Sequence, residues 1–274
     1  MSTVKSIFVL IGFHTGLIIS LGFNQTPEPT ACVLLILQQD VVGLTLAFQD
    51  LSRVDLCFGI HNGNAQLVDC LDSDREALID FKEGLKDPEN RLSSWRGNNC
   101  CQGEGISCDN KTRDVIAIDL HNPFPSSDPN YSRYALGGKI SPSLIKLNYL
   151  RHLDLSLNGF SGIPIPEFFQ SLEKLQYLNL ADAGFGGKIP PNLGNISALQ
   201  YFNASNNCLT VDNLEWMTSL TSLKYLALNG VDLSSSGSEW VGALNRLSHL
   251  TELHLQFCDL IDSNSFLNFV NHLL

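Results

Sequence analysis

Apolar residues recur in the central part of the chain as a triplet with the spacing L-x-x-L-x-L. The triplet occurs at Val115/Ile118/Leu120, Leu150/Leu153/Leu155, Leu175/Leu178/Leu180, Leu199/Phe202/Ala204, Leu223/Leu226/Leu228 and Leu250/Leu253/Leu255. From the second triplet onward, the first positions lie 25, 24, 24 and 27 residues apart. Alternate side chains of a strand face opposite ways, so the last two apolar residues of each triplet point inward together. The pattern therefore predicts one short strand in each of about six repeats.

This period is typical of leucine-rich repeats, which stack because one repeat cannot bury its apolar side alone. Residues 113–274 are thus expected to form an α/β solenoid, a right-handed leucine-rich-repeat superhelix with short parallel strands on its concave face. The ninth position of each repeat favours Asn or Cys, whose side chain can bond the backbone at the turn. Asn158, Asn207 and Cys258 fit this pattern. Ala183 and Val231 do not, and we expect weaker ties at those two turns.

Residues 70–112 predict a small helical cap in front of the repeats. Ser73 and Glu76 have the spacing of a capping box, and the apolar positions that follow predict a helix ending at Asp87-Pro88. Four cysteines flank this stretch, namely Cys70, Cys100, Cys101 and Cys108. They could pair as disulfides in three ways. A zinc site is the rival interpretation, which the poor chelate spacing of adjacent cysteines disfavours.

The first 23 residues predict a signal peptide, because Lys5 precedes a mostly apolar run over residues 7–21. An uncleaved signal anchor is the alternative, and cleavage could fall near Gly22 or as late as Ala65. Residues 24–69 are atypical, since a second apolar run over residues 31–48 is interrupted by Gln38, Gln39 and Asp40. A membrane span would not place such residues at its centre.

Charge, sequons and the absence of catalytic motifs limit the classes of function that this sequence supports. With 28 acidic and 17 basic residues, the net charge is −11, and no Lys/Arg cluster supports nucleic-acid binding. N-glycosylation sequons at Asn24, Asn110, Asn130, Asn195 and Asn203 point to the secretory route, and we predict glycans at the last four. No catalytic motif is present, so we expect no enzymatic activity, metal or cofactor.

Outward strand positions should form columns across the stacked repeats. The first column contains Ala117, His152, Tyr177, Tyr201, Tyr225 and Glu252, and the second contains Asp119, Asp154, Asn179, Asn203, Ala227 and His254. From these we predict a ligand face of His152, Asp154, Tyr177, Asn179, Tyr201, Tyr225, Glu252 and His254. Tyrosines about 5 Å apart on adjacent strands would make the kind of stripe that interfaces favour. The alternative is that tyrosine simply suits strands, and a glycan on Asn203 would block this face.

The cap sequence resembles a known family. Cys70-x3-Asp74-Arg75-Glu76-Ala77-Leu78, Leu92-Ser93-Ser94-Trp95, Cys100-Cys101 and Gly105-Ile106-Ser107-Cys108 resemble the N-terminal cap of plant leucine-rich-repeat receptors. The resemblance implies disulfides Cys70–Cys100 and Cys101–Cys108. The family usually has Trp where this chain has Gly103, which leaves the packing around Gly105 open.

The segments that follow the strands extend the resemblance over residues 70–260. Residues 136–142, 160–164 and 185–190 look like the plant-specific L-x-G-x-I-P element, whereas later repeats carry Trp216 and Trp240. This alternation resembles receptor-like proteins of the xylanase-elicitor receptor type. A Pro-rich excursion over residues 120–136 is expected to be a solvated loop.

The resemblance implies a non-catalytic extracellular ectodomain that binds a protein, peptide or glycan and signals through a kinase-bearing co-receptor in defence or development. Such proteins sit at the plasma membrane through one C-terminal span, which we do not find before Leu274. We therefore expect the repeats to be truncated at the C-terminus. The alternatives are a soluble protein similar to polygalacturonase inhibitors, secreted or in the cell wall, and a truncated product without binding activity.

Overall fold

The computed structural model describes residues 70–236 and 240–258, together with the backbone of three strands, Ser6–Leu10, Gly16–Phe23 and Ala31–Gln38. The signal-peptide prediction, the atypical segment 24–69 and the last repeat residues 259–274 fall wholly or largely outside the described residues. Their boundaries and processing stay predictions.

The repeats form one parallel sheet. Its strands are Val115–Asp119, His152–Asp154, Tyr177–Asn179, Tyr201–Asn203, Tyr225–Ala227 and Glu252–Leu255, one for each of repeats 1 to 6. They pair in chain order and in register. Ile106–Cys108 pairs antiparallel with the first of them, and Ala31–Gln38 pairs antiparallel with the last, followed outward by Gly16–Phe23 and Ser6–Leu10. The predicted parallel solenoid is confirmed.

The core runs continuously from repeat to repeat. The middle residues of the six triplets are all at most 2% exposed: Ile118, Leu153, Leu178, Phe202, Leu226 and Leu253. Short 3₁₀ segments return the chain on the other side at Pro142–Lys146, Glu167–Ser171, Pro191–Asn195, Glu215–Ser219 and Ser234–Ser236, and a short helix follows at Trp240–Asn245. Between the two sides, Gly186–Lys188 pairs in parallel with Cys208–Thr210. Each repeat therefore buries its leucines against the next one.

The cap helix spans Asp72–Gly84 and buries Ala77, Leu78 and Phe81. The predicted capping box is wrong, because no side chain caps this helix and the Ser73 hydroxyl donates to Asp74 Oδ1 at 3.2 Å. The helix also ends before Asp87, since Leu85–Lys86 leaves it to pair with Gly137–Gly138. Two short 3₁₀ segments, Arg91–Ser94 and Cys100–Gln102, complete the cap.

Two disulfides staple this cap. Cys70 is bonded to Cys100 and Cys101 to Cys108, and the Cα atoms of each pair are 5.6 Å apart. The pairing implied by the family resemblance is confirmed. All four sulfur atoms are used in these bonds, so the zinc interpretation of this cluster is wrong.

Glycine at positions 103 and 105 lets the cap close. A Cβ atom at Gly103 would lie 3.0 Å from Trp95 Cδ1, and the Trp95 indole is buried with its Nε1 donating to the Glu104 carbonyl at 2.8 Å. Trp95 thus fills the space beside Gly103. At Gly105, where φ is +76°, a Cβ would be 2.1 Å from the Asp119 carbonyl oxygen. The cap backbone therefore touches the first repeat strand directly.

Asparagine side chains in alternate repeats hydrogen-bond the backbone at the turns that follow the strands. Asn158 Nδ2 donates to the carbonyls of Leu120 (2.9 Å) and Leu155 (3.0 Å), and Asn207 Nδ2 donates to those of Leu180 (2.8 Å) and Ala204 (3.0 Å). Each amide thus serves its own repeat and the preceding one.

The expectation of weaker ties at Ala183 and Val231 is therefore wrong. The carbonyls on both sides of the Ala183 turn are already bonded by asparagines of neighbouring repeats, and the Phe160 N–H donates to the Ala183 carbonyl at 2.8 Å. At the other turn, the Leu228 carbonyl accepts from the Val231 N–H at 3.0 Å and from Cys258 Sγ at 3.1 Å.

The Pro-rich excursion is largely exposed to solvent, as expected, but it is not only a loop. It contains a short helix, Tyr131–Tyr134, whose Tyr131 hydroxyl donates to the Asn158 carbonyl at 2.8 Å. Arg133 forms an ion pair with Glu89 of the cap at 2.9 Å. The excursion is therefore anchored to the cap and to the second repeat.

Candidate functional site

The register of the sheet creates the two predicted columns. Strand pairing aligns Ala117, His152, Tyr177, Tyr201, Tyr225 and Glu252 in the first column, and Asp119, Asp154, Asn179, Asn203, Ala227 and His254 in the second. Every predicted ligand-face residue therefore lies on the same side of the sheet, because each repeat adds one strand in register with the last.

The rings of the first column stack face to face. Ring centroids are 4.1 Å apart for His152 and Tyr177, and 4.2 Å apart both for Tyr177 and Tyr201 and for Tyr201 and Tyr225, with interplanar angles between 8° and 11°. We call these four rings the aromatic column. Each inner ring has both faces covered by its neighbours. A ligand would therefore meet ring edges and hydroxyl groups, and a sugar could not stack on the inner ring faces.

The hydroxyl groups of the aromatic column are neutral. Burial raises the pKa of Tyr177, Tyr201 and Tyr225 above the usual tyrosine value. Asn179 Nδ2 donates to the Tyr177 hydroxyl at 3.4 Å, and Asn203 Nδ2 approaches the Tyr201 hydroxyl at 3.5 Å. The surface therefore offers a row of uncharged hydroxyl and amide groups.

Asp154 lies beneath this row. It is 7% exposed, although its sequence position suggested an outward carboxylate. Its Oδ1 accepts from the Ser156 N–H (2.9 Å) and hydroxyl (2.6 Å), and its Oδ2 accepts from the Tyr177 hydroxyl (3.2 Å) and Asn179 Nδ2 (3.0 Å). With both oxygens used twice, Asp154 orients Tyr177 and Asn179 and has little capacity left for a ligand.

Acid–histidine pairs lie at the two ends of the column. At one end His121 Nδ1 is 2.6 Å from Asp119 Oδ1, and this bond raises the pKa of His121, whereas burial lowers that of His152. At the other end His254 Nε2 lies 2.6 Å from Glu252 Oε1. The predicted ligand face did not include Asp119 and His121. The same spacing, an acidic residue two positions before a histidine, occurs at Glu252 and His254, and it could have drawn attention to this pair.

The predicted glycosylation sites differ in their surroundings. Asn110 and Asn195 are exposed, and Asn130 is half-buried at the start of the helix in the excursion. Asn203 is half-buried within the second column, where its Oδ1 accepts the Ser205 N–H at 3.0 Å. The structure places these residues without testing whether they carry glycans.

Across the described part of the chain, none of the helices has the length and apolar character needed to cross a bilayer. The metal-ligand cluster found in this part consists of Cys100, Cys101 and Cys108, all of which are bonded in disulfides.

Comparisons with known proteins agree with this architecture. The Leucine rich repeat N-terminal domain matches residues 71–109, Leucine Rich Repeat matches residues 149–171 and 174–196, and a second Leucine Rich repeat family matches residues 246–264. Receptor-like protein EIX1 of Solanum lycopersicum is 39% identical over 230 residues, which are 82% of this chain and 21% of the relative. This chain thus spans about a fifth of that relative's length.

Two solved structures from Arabidopsis thaliana are similar. The BIR2 ectodomain shares 26% identity with a TM-score of 0.55, covering 72% of this chain and 97% of that one. The ectodomain of the membrane receptor kinase GASSHO1/SCHENGEN3, solved in complex with Casparian strip integrity factor 2, shares 29% identity with a TM-score of 0.53, covering 66% and 21% of the two chains.

Proposed function

Because this chain is a leucine-rich-repeat protein of the plant receptor-like type, we propose that it is the ligand-recognition part of an extracellular receptor. Its ligand is a protein or peptide, bound on the surface formed by the aromatic column and the adjoining Asn179 and Asn203. The two disulfides of the cap fit an oxidising, extracellular setting.

The single observation that carries the proposal is the aromatic column itself. Tyrosine is enriched where protein interfaces concentrate their binding energy. Three tyrosines stacked across adjacent strands are already ordered. Their side chains therefore lose little conformational entropy when a partner binds. The faces of the inner tyrosine rings are covered by neighbouring rings, so a sugar cannot stack on them. The hydroxyl and amide groups that remain accessible can hydrogen-bond a polypeptide, and we therefore favour a polypeptide partner.

Signalling would follow from a kinase-bearing co-receptor. The sequence carries no kinase signature, and such a partner is what the family resemblance implies. One similar structure is a receptor kinase ectodomain in complex with Casparian strip integrity factor 2, which supports ligand binding by a solenoid of this kind. Localisation at the outer face of the plasma membrane belongs to the same proposal.

The test uses the secreted chain immobilised for biolayer interferometry. The probe is a purified microbial xylanase, the elicitor after which the resembled receptor class is named, with xylo-oligosaccharides as the glycan probe. We expect the enzyme to bind and the oligosaccharides not to bind. Binding by a polygalacturonase instead, with loss of its activity, would support the inhibitor alternative.

Substitutions at Tyr201 locate the surface. Tyr201→Phe keeps the ring stack and removes one hydroxyl, which should weaken xylanase binding by about 3- to 10-fold. Tyr201→Ala also opens the stack and should weaken binding by at least ~10-fold. Lys188→Ala alters an exposed strand outside the main sheet and serves as the control. Equal binding by all variants would place the ligand on another surface.

A further inference from the structure

A polar cleft lies on the flank of the solenoid, away from the aromatic column. It has a volume of about 500 Å³ and is lined by Gln170, Ser171, Glu173, Lys174, Asn195 and Ser197. It is formed by the 3₁₀ segments Glu167–Ser171 and Pro191–Asn195 and by the residues that follow each of them before the next strand. Its carboxylate, ammonium, amide and hydroxyl groups can all bond to sugar hydroxyls.

Both polar residues of one sequon line this cleft. Asn195 and Ser197 are exposed, whereas Ile196 between them is fully buried. The buried isoleucine fixes the position of the backbone, so the asparagine side chain has a defined starting point at the edge of the cleft.

A hydrogen bond to Gln170 orients the Asn195 amide. Its Nδ2 donates to Gln170 Oε1 at 3.0 Å. This nitrogen carries two hydrogens, and glycosylation replaces only one of them, so the remaining hydrogen can keep the bond to Gln170. The hydrogen bond to Gln170 would therefore set the direction in which an attached sugar projects from the amide.

We propose that Asn195 carries an N-linked glycan whose first N-acetylglucosamine lies in this cleft against Gln170, Glu173 and Lys174. In the transfer step, Asn195 Nδ2 loses a proton and bonds to the anomeric carbon of a lipid-pyrophosphate-linked oligosaccharide, while the lipid pyrophosphate departs with the electron pair of the broken bond. Lys174 is held in place for this contact, since its Nζ lies 3.6 Å from the centre of the Tyr149 ring.

The other sequons offer useful contrasts. Asn110 is exposed in a turn and does not line the cleft. Asn203 lies in the second column of the sheet, where a sugar would cover the aromatic column. A glycan at Asn195 leaves that surface open. The proposal requires only passage through the secretory pathway, so failure of ligand binding leaves it standing.

The experiment measures how fast each glycan is released from the folded protein. The full chain is secreted from mammalian cells, and site-resolved mass spectrometry follows deglycosylation by peptide-N-glycosidase F in native and denatured protein. We expect Asn195 to be occupied and its glycan to be released at least ~10-fold more slowly from the native state, because the enzyme needs a local opening. Release from Asn110, where occupied, should be fast in both states.

A double variant, Gln170→Ala with Glu173→Ala, removes two contacts of the cleft while leaving the sequon intact. It should raise the native release rate at Asn195 toward the denatured rate, with an unchanged melting temperature showing that the fold is intact. An unglycosylated Asn195, equal native and denatured rates, or an unchanged rate in the double variant would each overturn the proposal.

Discussion

A buried carboxylate is one of the links between the cap and the first repeat. Asp74 is 4% exposed, and its Oδ2 accepts the Val115 N–H at 2.8 Å. Burial raises the pKa of Asp74, while the bonds from Val115 and Ser73 lower it and the charge of Asp114 raises it further. The ionised form is therefore less favourable in the folded protein than in the unfolded chain.

This gives the cap a pH dependence that Asp74→Asn should remove. The folded state binds the Asp74 proton more tightly than the unfolded state does, so this residue's contribution to the free energy of unfolding falls as pH rises through the raised pKa. Asparagine keeps an oxygen for the Val115 N–H and does not ionise. In urea unfolding at about pH 4, 5.5 and 7, the free energy of unfolding of the variant minus that of wild type should increase with pH.

Glu76→Gln provides the control for this comparison, because Glu76 is exposed on the same helix. A difference for Asp74→Asn that shrinks as pH rises would contradict the assignment.

Among the structural elements, the turns after the strands show most clearly how neighbouring repeats share bonds. Asn158 and Asn207 each donate hydrogen bonds to carbonyls of two repeats. The repeat between them has Ala183 at the equivalent position. Restoring the usual asparagine in that repeat would add an amide to a fully buried site whose neighbouring carbonyls are already bonded. The consensus residue is therefore not the stabilising residue here.

The contrast between Asn158→Ala and Ala183→Asn tests this arrangement. Asn158→Ala leaves buried backbone groups unpaired and should lower stability by about 2 to 4 kcal/mol. Ala183→Asn should also destabilise, by about 1 to 3 kcal/mol, because it buries an amide without free partners. Thermal and urea unfolding measure both effects. A gain in stability for Ala183→Asn would mean that the turn is under-bonded after all.

For the whole molecule, the period of the triplets was enough to predict the sheet, its parallel register and the residues of each column. Periodicity specifies which side chains share a surface, but not what lies above them. Asp154 could not be recognised as buried because its partners Tyr177 and Asn179 come from the next repeat. The cap helix start was missed because Ser73 has a partner in Asp74 that competes with capping. The anchoring of the Pro-rich excursion was missed because the residues that its helix contacts, Glu89 and Asn158, lie far away in sequence.

The solenoid also predicts how damage to the cap should spread. In stacked repeats each unit contacts only its neighbours, so lost stability should decline with distance along the chain. The Cys70–Cys100 bond spans 30 residues and the Cys101–Cys108 bond spans 7. On the loop-entropy model these bonds contribute about 3.7 and about 2.4 kcal/mol.

Replacing both cysteines of one bond by serine, while keeping the other bond, separates the two contributions. We expect Cys70→Ser with Cys100→Ser to cost more stability than Cys101→Ser with Cys108→Ser. By hydrogen exchange and mass spectrometry, amide protection should fall most in the cap helix and in Val115–Asp119, which the cap touches through the Asp119 N–H to Gly105 carbonyl bond of 2.7 Å. Protection at Tyr225–Ala227 should fall much less, since four repeats separate it from the cap and each interface absorbs part of the loss. Equal loss along all strands would instead mean that cap and repeats unfold as one cooperative unit.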